Sequence, residues 1–561
     1  MQRQLCRAIV GSVAGAIGSV ALVATVGPAA WSILLGVTIG AGFALTGVNG
    51  DDSDQLMTGG ALGVPLWAVL SIVVFPLLSH EAPEWSAEGM RQHFPALVGW
   101  VLYGVILGLV TRRLNALANC WLRPEQATTP ETLTGGKHVV ILGGGFAGMK
   151  TAEYLERELR NDPSVRVSLI SETNALLFTP MLAEVAGSSL EPSHISTPLR
   201  TALHRSEFIR GRVASVDFEN KQVVVESQSS HGEAREITYD HLVFALGAVS
   251  NYLGLTNVQK LAFDFKTLVD AIKIRNHLIE MFERADREHN PEVRKSLLTF
   301  VIAGGGFAGV ELAGALNDFA RGIVADYPHL DPNDIRVVLV HSRDRILPEL
   351  SEALGRYAQK KMQERGVEFR MNARLTDARP GTVVLSDGEI SAETLVWTAG
   401  TAPNPLTKKL GLETDKRGAI TVDAMLAVQG KHDVWALGDC AAVVDAKTGK
   451  PCPPTAQFAI REAAALARNI RLSLENRSSR SFHFDSLGAL CVIGHQTACA
   501  ELTVPFTRRK SLRFSGLLAW FMWRSIYLAK LPGLERKIRV VVDWTVELFF
   551  PKDIVQTIEL Q

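Results

Sequence analysis

Two six-residue stretches of this chain are identical: Gly143–Gly148 and Gly304–Gly309 both read GGGFAG, 161 residues apart. Each follows a short apolar run, His138–Leu142 or Thr299–Ala303, and precedes a segment with helical spacing. Gly143, Gly145 and Gly148, and likewise Gly304, Gly306 and Gly309, fit G-x-G-x-x-G. That spacing gives a tight turn, lets a pyrophosphate approach the backbone, and packs helix on strand. The phosphates would meet the free N–H groups and positive dipole end of a helix. Glu172 lies 24 residues beyond Gly148, at the end of a second apolar strand, where a carboxylate can accept both ribose hydroxyl protons. Two copies imply two dinucleotide sites in one chain. A third strand, Asp433–Leu437, runs into Gly438-Asp439, an acid placed to meet a ribityl hydroxyl or a water on a pyrophosphate.

The second copy departs from the pattern. The strand after its helix, Ile335–Val340, should end in an acid that binds a 2′-hydroxyl and repels a 2′-phosphate, but the residue there is His341. Ser342 and Arg343 follow, and both can donate to a phosphate. A dinucleotide with a 2′-phosphate is therefore expected to be accepted alongside one with a free 2′-hydroxyl, and to gain ground as pH falls and His341 charges. The alternative is that His341 only caps the strand and Asp344 takes the ribose contact.

These motifs need elements to hold them. His241–Gly247 (HLVFALG) and Glu393–Gly400 (ETLVWTAG) read as strands that return the chain from one dinucleotide domain to the other. Ahead of the first glycine motif come four apolar runs without a charge or histidine: Ala8–Val26, Ala29–Val48, Met57–Leu78 and Phe94–Thr111. Each is near the ~20 residues that cross a bilayer, so four transmembrane helices are expected. Arg3 and Arg7 before them, and Arg112, Arg113 and Arg123 after, place both ends on the cytoplasmic side, although the connection Asn49–Leu56 is acidic. Gly11/Gly15 and Gly36/Gly40 allow close helix contact within this module or between the protomers of a homodimer. Pro124–Gly136 (PEQATTPETLTGG) has linker composition. Near the C-terminus, Phe514–Leu531 mixes Trp520, Trp523 and Tyr527 with aliphatics and is flanked by Arg508, Arg509, Lys510, Arg513, Lys530, Arg536 and Lys537. That mixture suits a helix lying in the membrane interface, or one packed on the body.

Composition narrows the classes. Lys plus Arg equals Asp plus Glu at 58 each, so no global field points to nucleic acid. The six cysteines form neither a C-x-x-C pair nor a dense framework, which fits reduced thiols. No histidines pair with cysteines at ligand spacing, so no metal site is expected.

From His138 to the C-terminus the chain resembles a type II NADH dehydrogenase, the single-chain NADH:quinone oxidoreductase of the two-dinucleotide-binding flavoprotein superfamily. Beyond the glycine motifs, the matching pieces are Leu177-Phe-Thr-Pro-Met181, Ala245-Leu-Gly-Ala248, Arg345-Ile-Leu-Pro348, Ala436-Leu-Gly-Asp439, Pro454-Thr-Ala-Gln-Phe-Ala459 and Lys530-Leu-Pro-Gly533. The resemblance implies an α/β fold with two Rossmann-like domains, the first glycine motif holding FAD and the second NAD(P)H. The all-α transmembrane module would precede them and the membrane-interface helices follow. The boundaries are residues 1–123 for the module, 124–136 for the linker, 137–265 and 396–505 for the two parts of the FAD domain, 266–395 for the NAD(P)H domain and 506–561 for the C-terminal helices. Cofactor contacts would come from Gly143, Gly145, Phe146, Ala147, Gly148, Glu172, Gly304, Gly306, Gly309, His341 and Asp439, with Thr179, Val213, Ala245, Gly247, Gly400 and Gln457.

Glu311, five residues after Gly306, resembles the family glutamate near flavin and quinone, a proton relay; read by itself it is an acid suited to a helix N-terminus. Gln457 resembles the first glutamine of the family's A-Q-x-A-x-Q quinone motif. Ala456 precedes it, and Arg461 stands where the second glutamine belongs. The implied reaction passes a hydride from NADH to FAD and electrons to a membrane quinone in the respiratory chain, without pumping protons, on the cytoplasmic face of the inner membrane. A sulfide:quinone oxidoreductase would need a redox cysteine pair, and no cysteine lies between Cys120 and Cys440. A membrane-tethered NADH-sensing flavoprotein is the reading from another class.

Overall fold

His138–Leu142 is a five-residue strand with no solvent-facing side chain, and Thr299–Ala303 is another. Strands buried on both faces read as unbroken apolar runs because helices cover both sides of a parallel sheet. The computed structural model describes residues 2–25, 29–45, 63, 66–78, 94–122, 136–226, 234–503, 511–548 and 550–556. The connection 49–56, the linker 124–135 and the basic residues 508–510 lie outside them. Two compact units result, one of residues 1–130, 490–501 and 512–550, the other of 131–489, 502–511 and 551–561.

In chain order the helices of the first unit are α1 (Gln2–Thr25), α2 (Ala29–Leu45) and α3 (Phe94–Leu122). In the second unit the elements that matter here are β1 (His138–Leu142), α4 (Phe146–Glu158), β2 (Arg166–Ser171), β3 (Glu207–Arg210), β4 (His241–Phe244), β5 (Phe263–Asp264), β6 (Thr299–Ala303), α5 (Phe307–Ile323), β7 (Arg336–His341), β8 (Val367–Met371), β9 (Thr394–Trp397), β10 (Val434–Ala436) and α6 (Ala456–Leu474). Two further helices, α7 (Gly516–Lys530) and α8 (Leu534–Val546), belong to the first unit.

The second unit holds two five-stranded sheets, in the orders β10–β4–β1–β2–β3 and β5–β9–β6–β7–β8. Every pairing in both is parallel. Each is the doubly wound arrangement in which ligands sit at the carboxyl ends of the strands, where the strand order reverses. In the first sheet that reversal falls between β1 and β4, beside the first glycine loop; in the second it falls between β6 and β9, beside the second loop.

In the first unit α1 and α2 meet backbone to backbone. A Cβ at Gly15 would lie 2.1 Å from the Gly36 carbonyl oxygen, and one at Gly40 2.2 Å from that of Gly11. The Tyr103 hydroxyl donates to Gly36 O at 2.7 Å, and Trp100 Nε1 donates to Ser71 Oγ at 2.9 Å. Leu517, Leu518 and Phe521 of α7 pack into the same apolar cluster, with Phe521 edge-on to Trp67 at 5.4 Å. Arg524, which interrupts the apolar run of α7, is held between the rings of Trp520 and Trp544 at 3.9 and 4.5 Å and donates to Glu547 at 3.0 Å.

Against the expectation of four transmembrane helices, among the described residues no helix is long and apolar enough to cross a membrane. The third run contributes a π-helical stretch, Trp67–Val74, and one α-turn, Phe75–Leu78.

Candidate active site

The first glycine loop is shaped by three different demands. Gly143 has φ +111, and its N–H donates to Ile170 O at 2.8 Å. A Cβ there would sit 2.3 Å from Ala245 O, so the loop runs directly against the strand carrying Ala245-Leu-Gly247. Gly148 lies over Gly143, where a Cβ would stand 1.8 Å from the Gly143 oxygen. Gly145 differs: it caps α4 with φ −75 and ψ −169 and no side-chain cap, and a Cβ there would find nothing within 4 Å. The helix N-terminus therefore faces open space with its N–H groups unclaimed by side chains, as a bound pyrophosphate requires.

The other expected contacts of the first lobe surround this loop. Phe146 lies edge-on to Phe178 at 5.7 Å. Ala147 and Ala245 are buried, and a Cβ on Gly438 would sit 3.0 Å from that of Ala147. Gly247 and Gly438 hold φ +67 and +70. Glu172 follows β2 and is exposed, as is Thr179 at the start of a 3₁₀ turn; Val213 is half-buried on a hairpin strand opposite Val225. Asp439 is half-buried beside the first sheet; burial pushes its carboxyl above the ordinary range, with the Lys266 charge opposing.

The second loop repeats the geometry. Gly304 holds φ +127; a Cβ on Gly309 would lie 1.9 Å from Gly304 O; and Gly306 caps α5 with φ −80 and no side-chain cap. Thr398 closes the back of this loop, its hydroxyl donating to Ala303 O at 2.9 Å. Gly400 O accepts the Asn251 N–H at 3.0 Å. His341 ends β7, and its ring faces the loop: Nδ1 accepts the Gly305 N–H at 3.1 Å, while Nε2 is buried without a hydrogen-bond partner among the described residues. Burial, and then the Arg343 charge, lower its pKa. This environment opposes the protonation of His341 on which the expected low-pH gain for NADPH depends. Protonating the ring would place a proton on the nitrogen that accepts from Gly305, in a site that already disfavours the cation.

Glu311 sits half-buried on the fifth residue of α5. Gln457 is in the first turn of α6, whose N-cap Thr455 accepts from Phe458 N–H at 3.5 Å. Its side-chain amide donates to Gly488 O at 3.3 Å and accepts from Leu487 N–H at 3.1 Å and Ser486 Oγ at 3.2 Å. Gln457 thus ties α6 to 486–488 and has one N–H left to offer a ligand. Ala456 is half-buried beside it, and Arg461 is exposed with its guanidinium 5.3 Å from the Phe484 ring. Glu462, which sequence reasoning passed over, is 2% exposed. Its signal was an acid on the inward face of α6, one residue after the missing glutamine. Cys440 is fully buried and directs its thiol at backbone carbonyls, Leu437 O at 3.3 Å and Phe244 O at 3.6 Å. Among the described residues it has no disulfide partner.

Residues 137–463 match the Pyridine nucleotide-disulphide oxidoreductase family, and residues 486–553 match the NDH2 C-terminal domain. Paired parallel sheets, each with a glycine loop at its reversal, and the first match define the class: a two-dinucleotide-domain oxidoreductase. The chain is 32% identical over 423 residues to a probable NADH dehydrogenase of Dictyostelium discoideum, covering 74% of this chain and 90% of that one. It is 31% identical over 441 residues to a type II NADH:quinone oxidoreductase of Mycobacterium tuberculosis, covering 76% and 90%. Within the class, the chain belongs to the type II NADH:quinone oxidoreductase family. Among solved structures, NDH2 from Plasmodium falciparum in complex with NADH superposes with a TM-score of 0.67 at 19% identity, covering 75% of this chain and 99% of that one. The sulfide:quinone oxidoreductase of Aquifex aeolicus gives 0.57 at 19%, covering 76% and 98%. Both are likenesses of fold.

Proposed function

We infer that this chain is an NADH:quinone oxidoreductase that uses FAD, the first glycine loop holding FAD and the second NADH. The observation that carries the two-site reading is the pair of open helix caps, Gly145 and Gly306, each in a loop with no room for a side chain at its neighbouring glycines. When bound, FAD accepts a hydride from NADH and passes two electrons onward. The protein's part is placement. Gly143 and Gly148 hold the first loop against Ala245, α4 offers its N-terminus to the pyrophosphate, and Glu172 stands at the strand end for the ribose. The positive-φ turn at Gly438 sets Asp439 beside the same loop. In the second lobe Thr398 and His341 brace the loop from either side, and Gln457 offers its remaining N–H to a quinone carbonyl.

The helices of the first unit present Ile17, Val20, Trp31, Ile33, Leu34, Leu102 and Leu109 as exposed apolar side chains. Apolar surface on this scale marks an interaction site; its occupant is proposed to be lipid, on the cytoplasmic side of the membrane. Proton movement across that membrane is not expected, because the apolar runs carry no ionisable residue to relay it. The test is the absorbance of purified protein. A flavin spectrum should bleach with NADH and recover with quinone, and proteoliposomes turning over should build no uncoupler-sensitive pH gradient. Protein that folds without flavin, or flavin that NADH leaves oxidised, overturns the reading.

A further inference from the structure

Glu462 lies two turns into α6, 2% exposed, and its Oε2 accepts the Gly438 N–H at 2.7 Å. Asp439 is the next residue, and both carboxyls line a cavity of about 30 Å³ together with Arg417, Cys452 and Thr455. A polar cavity of that size has room for water, which needs about 10–15 Å³. The charged and titratable groups that bear on the pair come from several elements: Asp439 from its turn, Lys266 acting on Asp439, Arg417 in the lining, and Cys452, itself influenced by Glu462 and Asp445. Among the described residues no cation forms an ion pair with Glu462. Burial first, and then the Asp439 charge, push its carboxyl up to about 7, against the stabilising bond from Gly438. Near neutrality such a group is part acid and part carboxylate.

The reaction of this family needs a proton that the hydride does not bring. NADH, quinone and one proton give NAD⁺ and quinol; the hydride carries two electrons and one proton, and the second proton must come from a protonated group. We propose that Glu462, in the cavity beside Asp439, is a proton-holding residue of the reaction. Its carboxylate takes up one proton from solvent as NADH delivers negative charge to the site, and its acid releases that proton as quinol forms. This rests on the FAD and NADH reading above.

Flavin-loaded wild type and Glu462→Gln are reduced anaerobically with NADH in weak buffer containing a pH indicator. A carboxyl pushed up to about 7 still has carboxylate to protonate near neutrality, so at pH 7 the wild type should take up more protons per flavin than the variant. Reduced-minus-oxidised infrared spectra should show a protonated-carboxyl band in wild type that the variant lacks. In flavin-free protein a raised folded pKa contributes stability below the unfolded value that is lost as pH rises through the folded one. The variant's unfolding midpoint should therefore climb relative to wild type between pH 5 and 8. Equal proton uptake, an unchanged infrared band, or a pH-independent difference in midpoint overturns the assignment. If NADH fails to bleach the flavin, the functional reading fails instead. Glutamine retains an acceptor for Gly438, so the variant is expected to fold; if it does not, a wild type without any redox-linked carboxyl band overturns the proposal.

Discussion

Alanine at Gly145 separates what the protein needs from what its cofactor needs. The residue has an ordinary extended φ of −75, and an added Cβ meets no protein atom within 4 Å. The fold should therefore tolerate it, because the loss of glycine's freedom in the unfolded chain, about 0.4–1 kcal/mol, offsets the poorer capping by alanine at this N-cap. A pyrophosphate seated on the cap of α4 would be displaced by the methyl group. Losing one hydrogen bond to a charged group costs about 1.5–3 kcal/mol, which at tenfold per 1.4 kcal/mol is a flavin Kd raised roughly 10- to 150-fold. Flavin titration by fluorescence, beside the unfolding midpoint of flavin-free protein, measures both quantities. A wild-type Kd in Gly145→Ala would show that no phosphate approaches this cap. The matched change in the second loop, Gly306→Ala, also meets only an ordinary contact, Glu349 Oε1 at 3.7 Å. It should raise the KM for NADH at least tenfold while the protein stays yellow.

Other outcomes follow from the same geometry. The ratio of kcat/KM for NADPH over NADH should stay flat between pH 8 and 6.5, since burial keeps His341 neutral. His341→Glu should shift that ratio toward NADH by about tenfold or more, by repelling a 2′-phosphate. His138 is 6% exposed and its pKa is lowered to about 4, by burial and then by Arg166. A depressed folded pKa contributes stability that is full above the unfolded value of 6.5 and lost as pH falls toward 4. The loss should be up to about 3 kcal/mol and absent in a variant lacking that histidine, as read by denaturant unfolding. Arg524→Ala leaves Glu547 without its guanidinium partner in a mostly buried site, and should cost the first unit about 3 kcal/mol, seen as a separate early unfolding transition. Protein beginning after residue 130 should bind FAD and oxidise NADH with a soluble acceptor. Its C-terminal helices, stripped of the cluster around Trp67 and Phe521, should be cut by protease far faster than in the full chain.

Legibility in the sequence tracked the distance over which a feature is determined. The glycine loops, their strands and their helices were readable because each is set by neighbours a few residues away: a positive φ at Gly143, a close approach at Gly148, an open cap at Gly145. The family followed from motifs of the same range. His341 was readable as a departure but not as a chemical state, because the residue that fixes its tautomer, Gly305, lies 36 positions upstream and meets it only when β7 lies beside β6. Glu462 looked like one acid among many on a helix; its burial and its bond to Gly438 depend on how α6 packs along α4. Arg524 looked like a break in an interfacial helix until Trp544, from the next helix, closed over it.

The two loops share one hexapeptide and one backbone shape, so a compound built to imitate a pyrophosphate on a helix cap has no basis for choosing between them. An inhibitor aimed at either cap would be expected to bind both, and its dose response would mix displaced flavin with blocked nicotinamide. Selectivity has to be designed at the strand ends, where one site offers the Glu172 carboxylate and the other a neutral His341 ring with a buried N–H, or at α6, which has no counterpart in the second lobe's repeat.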